Sequence, residues 1–494
     1  MKVLLVYPEF PDTYWSFRHA LSFEKKLSAF PPLGLMTISA MLPAAWERRL
    51  VDMSVKPLKQ ADLEWADLVF ASAMIVQKDS LRRVVDQCKK LGKPVAIGGP
   101  FVSTGAEHFP DADHLFLGEA ETTLPQFLHD LENGEAKRIY KAAERPALAL
   151  TPVPDFHLID LKRYSSMSVQ YSRGCPFQCE FCDIIEIYGR VPRTKSNEQL
   201  TAELDALLRI GWRGMVFIVD DNFIGNKRNV KQLLPELTEW SERNKNPFYF
   251  ITEASVNLAQ DDELLKMMKS ARFRSVFLGI ETPVEESLKE AQKGQNTRGD
   301  LLESVKKIQN YGMDVMAGFI VGFDNDPEDI FERQINFIRD SAIPLAMVGL
   351  LTALPDTQLW RRLEREGRLL TESTGNNTDC SLNFASKMDP AHLIEGYKAI
   401  LRTIYHPAEY YQRALDCMKS VKERLPVKQR NGLTQDLMAL SRVIMTLGIR
   451  DRDRGEFWRY MRRVITEHRE TFTEGVKLAA MGYHFRKLTD SYCD

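Results

Sequence analysis

A chain of 494 residues, 44% hydrophobic, 10% aromatic and 27% charged, has room for roughly three domains with their own cores and is neither disordered nor fibrous. Lys and Arg total 66 against 68 Asp and Glu, a formal charge of -2, which excludes a polycation built to coat nucleic acid and leaves only local charged patches. No apolar run reaches the ~18 to 20 residues of a membrane span, the nearest being 344–355, and the run 3–7 ends at Pro8 and Glu9, too short for a signal-peptide core. The expected location is the cytoplasm. Seven cysteines, three of them within eight residues, point to a metal centre in a reducing compartment and not to a disulfide framework.

In chain order, residues 2–7, 68–72, 94–97 and 114–116 read as strands, and 33–42 and 80–91 have helical spacing. This alternation predicts a doubly wound α/β domain over 1–145. Its turns directly after strands, Gly98-Gly99-Pro100 and Gly118-Glu119, lie where open parallel sheets bind ligands. The Pro-punctuated stretch 142–163 fits an interdomain crossing, which sets a linker over 146–165. Strands then follow at 168–172, 215–219, 248–252, 275–279, 314–321 and 346–352, with helices at 197–210, 227–243, 261–270, 300–311 and 327–341 between them. That order predicts a parallel TIM-type barrel, complete or partial, over 166–360, with its chemistry at the carboxyl ends of the strands. Residues 361–494 read as a mainly helical domain, in which the stripe Leu433, Leu437, Leu440, Ile444 and Leu447 is expected in the core.

The most informative segment is YSRGCPFQCEFCD, residues 171–183, where Cys175, Cys179 and Cys182 give C-x3-C-x2-C directly after a strand. A structural zinc site closes with four ligands, and here a fourth is missing: Cys380 is far along the chain and His157 lies in the linker. Three cysteines suit instead an iron-sulfur cubane with one iron left open for another ligand.

With Phe181 between the last two cysteines, the motif resembles the signature of the radical S-adenosylmethionine (SAM) superfamily. The resemblance implies a 4Fe-4S cluster whose open iron chelates the amino and carboxylate groups of SAM, and reductive cleavage to a 5'-deoxyadenosyl radical that abstracts hydrogen from an unactivated carbon. It also implies SAM contacts from Phe181, from Asp220, Asp221 and Asn222 after the second strand, from Glu253 and Ser255 after the third, and from Glu281 after the fourth. On the fifth strand, Gly318, Ile320 and Gly322 resemble the adenine-binding segment, with Asn325 where the family usually carries Glu. The radical being cofactor-derived, no side chain is assigned as catalytic.

An α/β domain before such a barrel resembles the cobalamin-binding domain of the cobalamin-dependent class. The implied contacts are Tyr7 and Pro8, then Ser72, Ala73 and Met74, then Gly98, Gly99 and Pro100, then Gly118 and Glu119. The histidine loop of cobalamin mutases is absent, since the comparable segment is Asp52-Met53-Ser54-Val55-Lys56-Pro57. Segments Tyr14-Trp15-Ser16-Phe17 and Pro31-Pro32-Leu33-Gly34-Leu35 resemble a hopanoid-methylase-like subfamily, which implies methyl transfer from methylcobalamin to an apolar isoprenoid lipid and an electron donor such as flavodoxin or ferredoxin. A radical ring-forming or coupling enzyme using the same cluster, and a zinc-stapled RNA-binding protein, are the alternatives.

Residues 419–463 carry twelve Lys or Arg against five acids. A solvated face is one reading of this excess. Peripheral contact with the inner face of a membrane is the other, with Phe457, Trp458, Tyr460 and Met461 as anchors among arginines from Arg450 to Arg463. No RNA-binding module accompanies the charge, so no nucleic-acid partner is expected. Cys380 and Cys417 are expected as buried thiols.

Overall fold

The structure, a computed structural model, describes residues 1–376, 378–421, 425 and 433–493. β1 (Lys2–Tyr7), β2 (Glu47–Asp52), β3 (Leu68–Ser72), β4 (Val95–Gly98), β5 (His114–Leu117) and β6 (Ile139–Lys141) form a parallel sheet in the order β2-β1-β3-β4-β5-β6. Covered on both faces, such a sheet demands unbroken apolar runs, and Val3 to Val6 are fully buried. Strand alternation sends Leu4 and Val6 into an outer core, while Val3 and Leu5 join a core that continues into the second sheet. The order reverses between β1 and β3, the switch point at which a crevice opens beyond the strand ends. Neither β2 nor β6 was predicted: they are the two edges, and edge strands need only half the apolar pattern, as in the charged first half of β2 (ERRLVD).

The second sheet comprises β7 (Met167–Val169), β10 (Gly214–Ile218), β11 (Phe248–Ala254), β12 (Phe273–Glu281), β13 (Asp314–Val321) and β14 (Leu345–Leu350), parallel and in sequential order, an open barrel of six strands. Polar caps start the helices between them: Ser196 and Gln199 form a capping box, and Asp261 and Asp300 each accept a first-turn amide. One predicted strand is shorter than expected. The chain leaves the sheet after Val169 and pairs instead in the antiparallel hairpin β8 (Ser172–Arg173) and β9 (Arg193–Thr194). Asp220 causes this departure by accepting the amides of Tyr171 at 2.8 Å and Ser172 at 2.9 Å, which takes them from the ladder.

The barrel's open edge is covered by side chains. On β14, Ala346 O accepts from Tyr405 Oη at 2.6 Å and Val348 O from Tyr14 Oη at 3.0 Å. The fully buried Arg413 donates to Ile343 O at 2.7 Å and Ile404 O at 2.8 Å. Helices Pro390–Ile404, Pro407–Ser420 and Phe472–Cys493 carry this cover.

Two expectations for these helices are corrected. Of the stripe expected in the core, Leu447 is buried, Leu440 and Ile444 are half-buried and Leu437 is 56% exposed, while the Leu433 side chain lies outside the described residues. The helix Leu433–Val443 is peripheral, and the π-helical turns Ile444–Arg450 rotate the stripe out of phase. On helix Arg454–Glu467, Phe457, Tyr460 and Met461 are buried and not interfacial; only Trp458 stays exposed, its indole donating to Gly448 O at 2.9 Å. Lys422, Arg424, Lys428 and Arg430 lie outside the described residues. Cys417 is buried as expected and Cys380 half-buried. Among the described residues no helix is long and apolar enough to cross a membrane.

Candidate functional site

A cavity of about 1160 Å³ lies between the carboxyl ends of the two sheets. Drug-sized ligands occupy about 300 to 1,000 Å³, so this space accommodates more than one. The loops after β1, β3, β4 and β5 all reach it, and of the ten residues assigned there from the sequence, Pro8 alone does not line it; its carbonyl accepts from Gln77 Nε2 at 2.7 Å. Gly99 sits at φ +99°, where a Cβ would stand 2.5 Å from Ser72 Oγ and 3.1 Å from the backbone of Ala73. Only glycine lets this loop pack so closely against the end of β3, with both loops lining the cavity. Ser54 lines the cavity where a mutase has histidine, its hydroxyl accepting from Phe10 N at 3.1 Å, and no histidine lines the cavity among the described residues.

These features fit cobalamin held without a protein base beneath the cobalt. Bound cobalamin should therefore show a base-off, His-off absorption spectrum. Gly99→Val, placing a β-branched residue at positive φ for a strain of about 1 to 3 kcal/mol, should weaken its retention on gel filtration roughly tenfold or more. A histidine-ligated spectrum, or retention equal to wild type, would refute the assignment.

Glu119 also lines the cavity, but its carboxylate is spent on the other domain. It accepts from Arg173 at 2.6 Å and from Arg193 at 2.6 and 3.1 Å. Glu121 binds Arg173 at 2.8 Å and Thr151 Oγ1 at 2.8 Å. Against the upward push of burial, Arg173 holds the Glu121 carboxyl below its ordinary value. A nearly buried clamp therefore ties the β5 loop to the residue two places before Cys175.

The cysteine loop is shaped from the strand ends. Gly174, at φ +94°, has no room for a Cβ, which would stand 2.8 Å from Gly189 O, and its amide is held by Asp221 Oδ2 at 2.8 Å. Asp220 takes, besides the two amides, the Ser172 hydroxyl at 2.7 Å. The two aspartates assigned to SAM thus also build the turn that carries the cysteines. Both line the cavity with Glu253. Burial pushes the three carboxyls up, Asp220 to about 6, Asp221 to about 7 and Glu253 to about 8. Buried carboxyls side by side suit an ammonium ligand, which supplies the cation they lack.

All seven cysteines are free thiols. Burial raises the Cys175 and Cys182 thiols; the charges of Cys179 and Asp221 raise Cys175 further, and those of Asp183, Cys179 and Cys175 raise Cys182. Such thiolates need a cation to form. Among the described residues no three Cys, His, Asp or Glu side chains gather closely enough to hold one metal ion. A cubane takes each cysteine on a different iron, so three free thiols on one loop suit a 4Fe-4S cluster with one iron left open.

Asn222 and Ser255 come together at the ends of β10 and β11, 3.2 Å apart, with Asn222 Nδ2 at 3.7 Å from Cys175 Sγ. Glu281 sits at φ +65° beside a β-bulge, its carboxylate paired with Lys293. Phe181 packs in one apolar cluster with Ile320 and Phe323. A Cβ at Gly318 would stand 3.2 Å from the Phe277 ring, and one at Gly322 would stand 3.2 Å from Leu393. Asn325 turns to Glu290 at 3.0 Å, and it is Asp326 that accepts the amides of Gly322 and Phe323 at 2.8 and 3.1 Å. Phe181, Asn222, Ser255, Glu281, Gly318, Ile320 and Gly322 do not line the large cavity.

Sequence reasoning assigned no site role to Arg173, Arg193, Lys293 or Gln295. Lys293 and Gln295 reach the cysteine loop from more than a hundred residues away, and their segment carries no local motif. Trp15, noted only as part of a resemblance, lines the cavity and packs against Phe217, Phe277 and Phe30.

Comparison with known proteins matches residues 26–128 to the B12 binding domain, 169–338 to the Radical SAM superfamily and 357–494 to a domain of unknown function, DUF4070. An uncharacterized methyltransferase of Synechocystis sp. is 45% identical over 98% of this chain and 91% of its own length. The hopanoid C-2 methylase of Rhodopseudomonas palustris is 35% identical over 94% of this chain and 89% of its own. Among solved structures, OxsB, a cobalamin-dependent SAM radical enzyme with aqua-cobalamin and SAM bound, shares the fold with a TM-score of 0.64 at 16% identity, covering 99% of this chain and 80% of that one. With domain content and identity sustained along nearly the whole chain, this protein belongs to the cobalamin-dependent radical SAM methyltransferases.

Proposed function

We propose that this methyltransferase acts on an unactivated carbon of an apolar, multi-ring isoprenoid lipid of the hopanoid type. The observation that carries the reading is the aromatic wall of the shared cavity: Trp15 stacks on Phe217 at 6.3 Å and 5° and Phe30 lies 5.1 Å from Phe217, while Phe277, outside the lining, supports Trp15 at 5.1 Å. Leu33, Ile38 and Met41 extend it. These groups offer a fused-ring hydrocarbon dispersion and no polar competition, and they keep water from the reacting carbon. When bound, the cluster with SAM supplies a hydrogen-abstracting radical and cobalamin supplies the methyl group; an electron donor such as flavodoxin or ferredoxin feeds the cluster. The 35% identity to a hopanoid C-2 methylase supports this substrate class.

The test compares extracted lipids of a host with and without the gene. A polycyclic lipid heavier by one methyl group should appear only with it, and Trp15→Ala should cut that product several-fold while leaving SAM cleavage without substrate unchanged. A new ring or bond without added methyl would favour a ring-forming enzyme, and no lipid difference would end the proposal.

A lipid substrate also calls for a membrane contact, which we place on the cytoplasmic face. Met445, Ile449 and Trp458 are exposed and adjoin Arg450, Arg454 and Arg462, an apolar and cationic surface of the kind that docks on anionic headgroups. Wild type should float with anionic vesicles at low salt, and a variant with Trp458→Ser and the three arginines changed to Gln should stay at the bottom of the gradient. Equal flotation, or none by either, would return the patch to a solvated face.

A further inference from the structure

We propose that Gln295, together with the Glu281–Lys293 pair behind it, sets the reduction potential of the centre held by Cys175, Cys179 and Cys182. This rests on the cluster assignment and is independent of the substrate. Gln295 is 5% exposed and lies in the turn Gly294–Asn296, its Nε2 donating to Cys179 Sγ at 3.5 Å. The turn is fixed to the end of β12, since Asn296 Nδ2 donates to Gly279 O and Ile280 O, both at 3.0 Å. Next to it the buried Lys293 ammonium stands 5.7 Å from the centre of the Phe181 ring, inside the cysteine motif. Glu281 holds that ammonium in place from a left-handed backbone conformation, which a residue with a side chain keeps only when its surroundings demand it. A side chain at Gly279 would displace the pair, because its Cβ would stand 2.5 Å from Lys293 Nζ. The pair and the amide are thus built together against one side of the loop.

The consequence follows from charge. Adding one electron to an iron-sulfur centre places more negative charge on its sulfurs, so N–H donors and nearby cations favour the reduced state and raise the potential. Gln295 is such a donor on Cys179, as Asn222 is, more weakly at 3.7 Å, on Cys175. Lys293 is such a cation, and Glu281 cancels part of its field. Two substitutions at neighbouring positions should therefore move the potential in opposite directions: Gln295→Leu removes a donor and lowers it, and Glu281→Gln unmasks the ammonium and raises it.

The experiment uses the full-length protein, reconstituted anaerobically with iron and sulfide, without SAM or substrate. It is titrated with dithionite and mediator dyes, and the reduced centre is read by electron paramagnetic resonance. Gln295→Leu should lower the ratio of reduced to oxidised centre at fixed poise about tenfold, about 59 mV downward for one electron. Gln295→Glu, nearly isosteric and anionic, should move it further the same way and serves where the leucine variant loses its centre. Glu281→Gln should shift it upward. Midpoints equal to wild type in the Gln295 and Glu281 variants, or shifts of one sign in both, would overturn the proposal.

Discussion

Replacing Cys175, Cys179 and Cys182 together by Ala should strip the anaerobically reconstituted protein of iron, sulfide and brown colour, and reduce SAM cleavage to background. The effect should be complete because each thiol would hold its own iron, and the other four cysteines, Cys88, Cys380, Cys417 and Cys493, all lie outside the loop. Thermal unfolding should report a folded apo-protein, since the loop is shaped by Asp220, Asp221 and Gly174 and not by the thiols. Wild-type protein that takes up stoichiometric zinc and no iron would sink the assignment, as would a triple variant that keeps its cluster.

Arg173→Met should cost about 3 to 5 kcal/mol of stability, the usual penalty for leaving a buried carboxylate without its cation. Glu119 and Glu121 each keep 3% side-chain exposure, and Arg173 serves both. Without it, Glu119 keeps Arg193 but Glu121 has no cation, and burial raises the Glu121 carboxyl above its unfolded value. The folded state then holds protons the unfolded state releases, so the variant should lose stability as pH climbs above the ordinary carboxylate range. Urea unfolding at pH 5 and pH 8 checks both the size and the sign. Glu121→Gln added to Arg173→Met should recover much of the loss; a single variant as stable as wild type at both pH values would show that the clamp contributes nothing.

Much of this architecture could be read from residues alone, for reasons that differ by element. The barrel strands are buried on both faces and so appear as plain apolar runs, and the cysteine motif is local, its three thiols packed into eight residues. The loops after β1, β3, β4 and β5 follow from a rule about where parallel sheets bind ligands. The clamp from Arg173 to Glu119 was hidden because both partners look like ordinary surface charges until two sheets face each other. On helix Arg454–Glu467 the arginines suggest interfacial anchors at Phe457, Tyr460 and Met461, although these three and Val464 already have the spacing of a buried face. Its arginines are partly paired on the outside, Arg459 with Glu456 at 2.7 Å and Arg463 with Glu467 at 2.9 Å. Charge drew attention to a surface whose apolar periodicity had already chosen the core.

The hydroxyl-capped edge of β14 bears on where the cavity wall stands. A neighbouring strand would bind that edge through a run of amide bonds. Tyr14 and Tyr405 instead make two separate bonds from buried hydroxyls, each contributing about 0.5 to 1.5 kcal/mol net. Because Tyr14 is followed by Trp15, the bond that ties Tyr14 to the last barrel strand also anchors the aromatic wall. Closure of the barrel and lining of the cavity thus share one anchor point, one residue fastened to the strand and the next facing the ligand space.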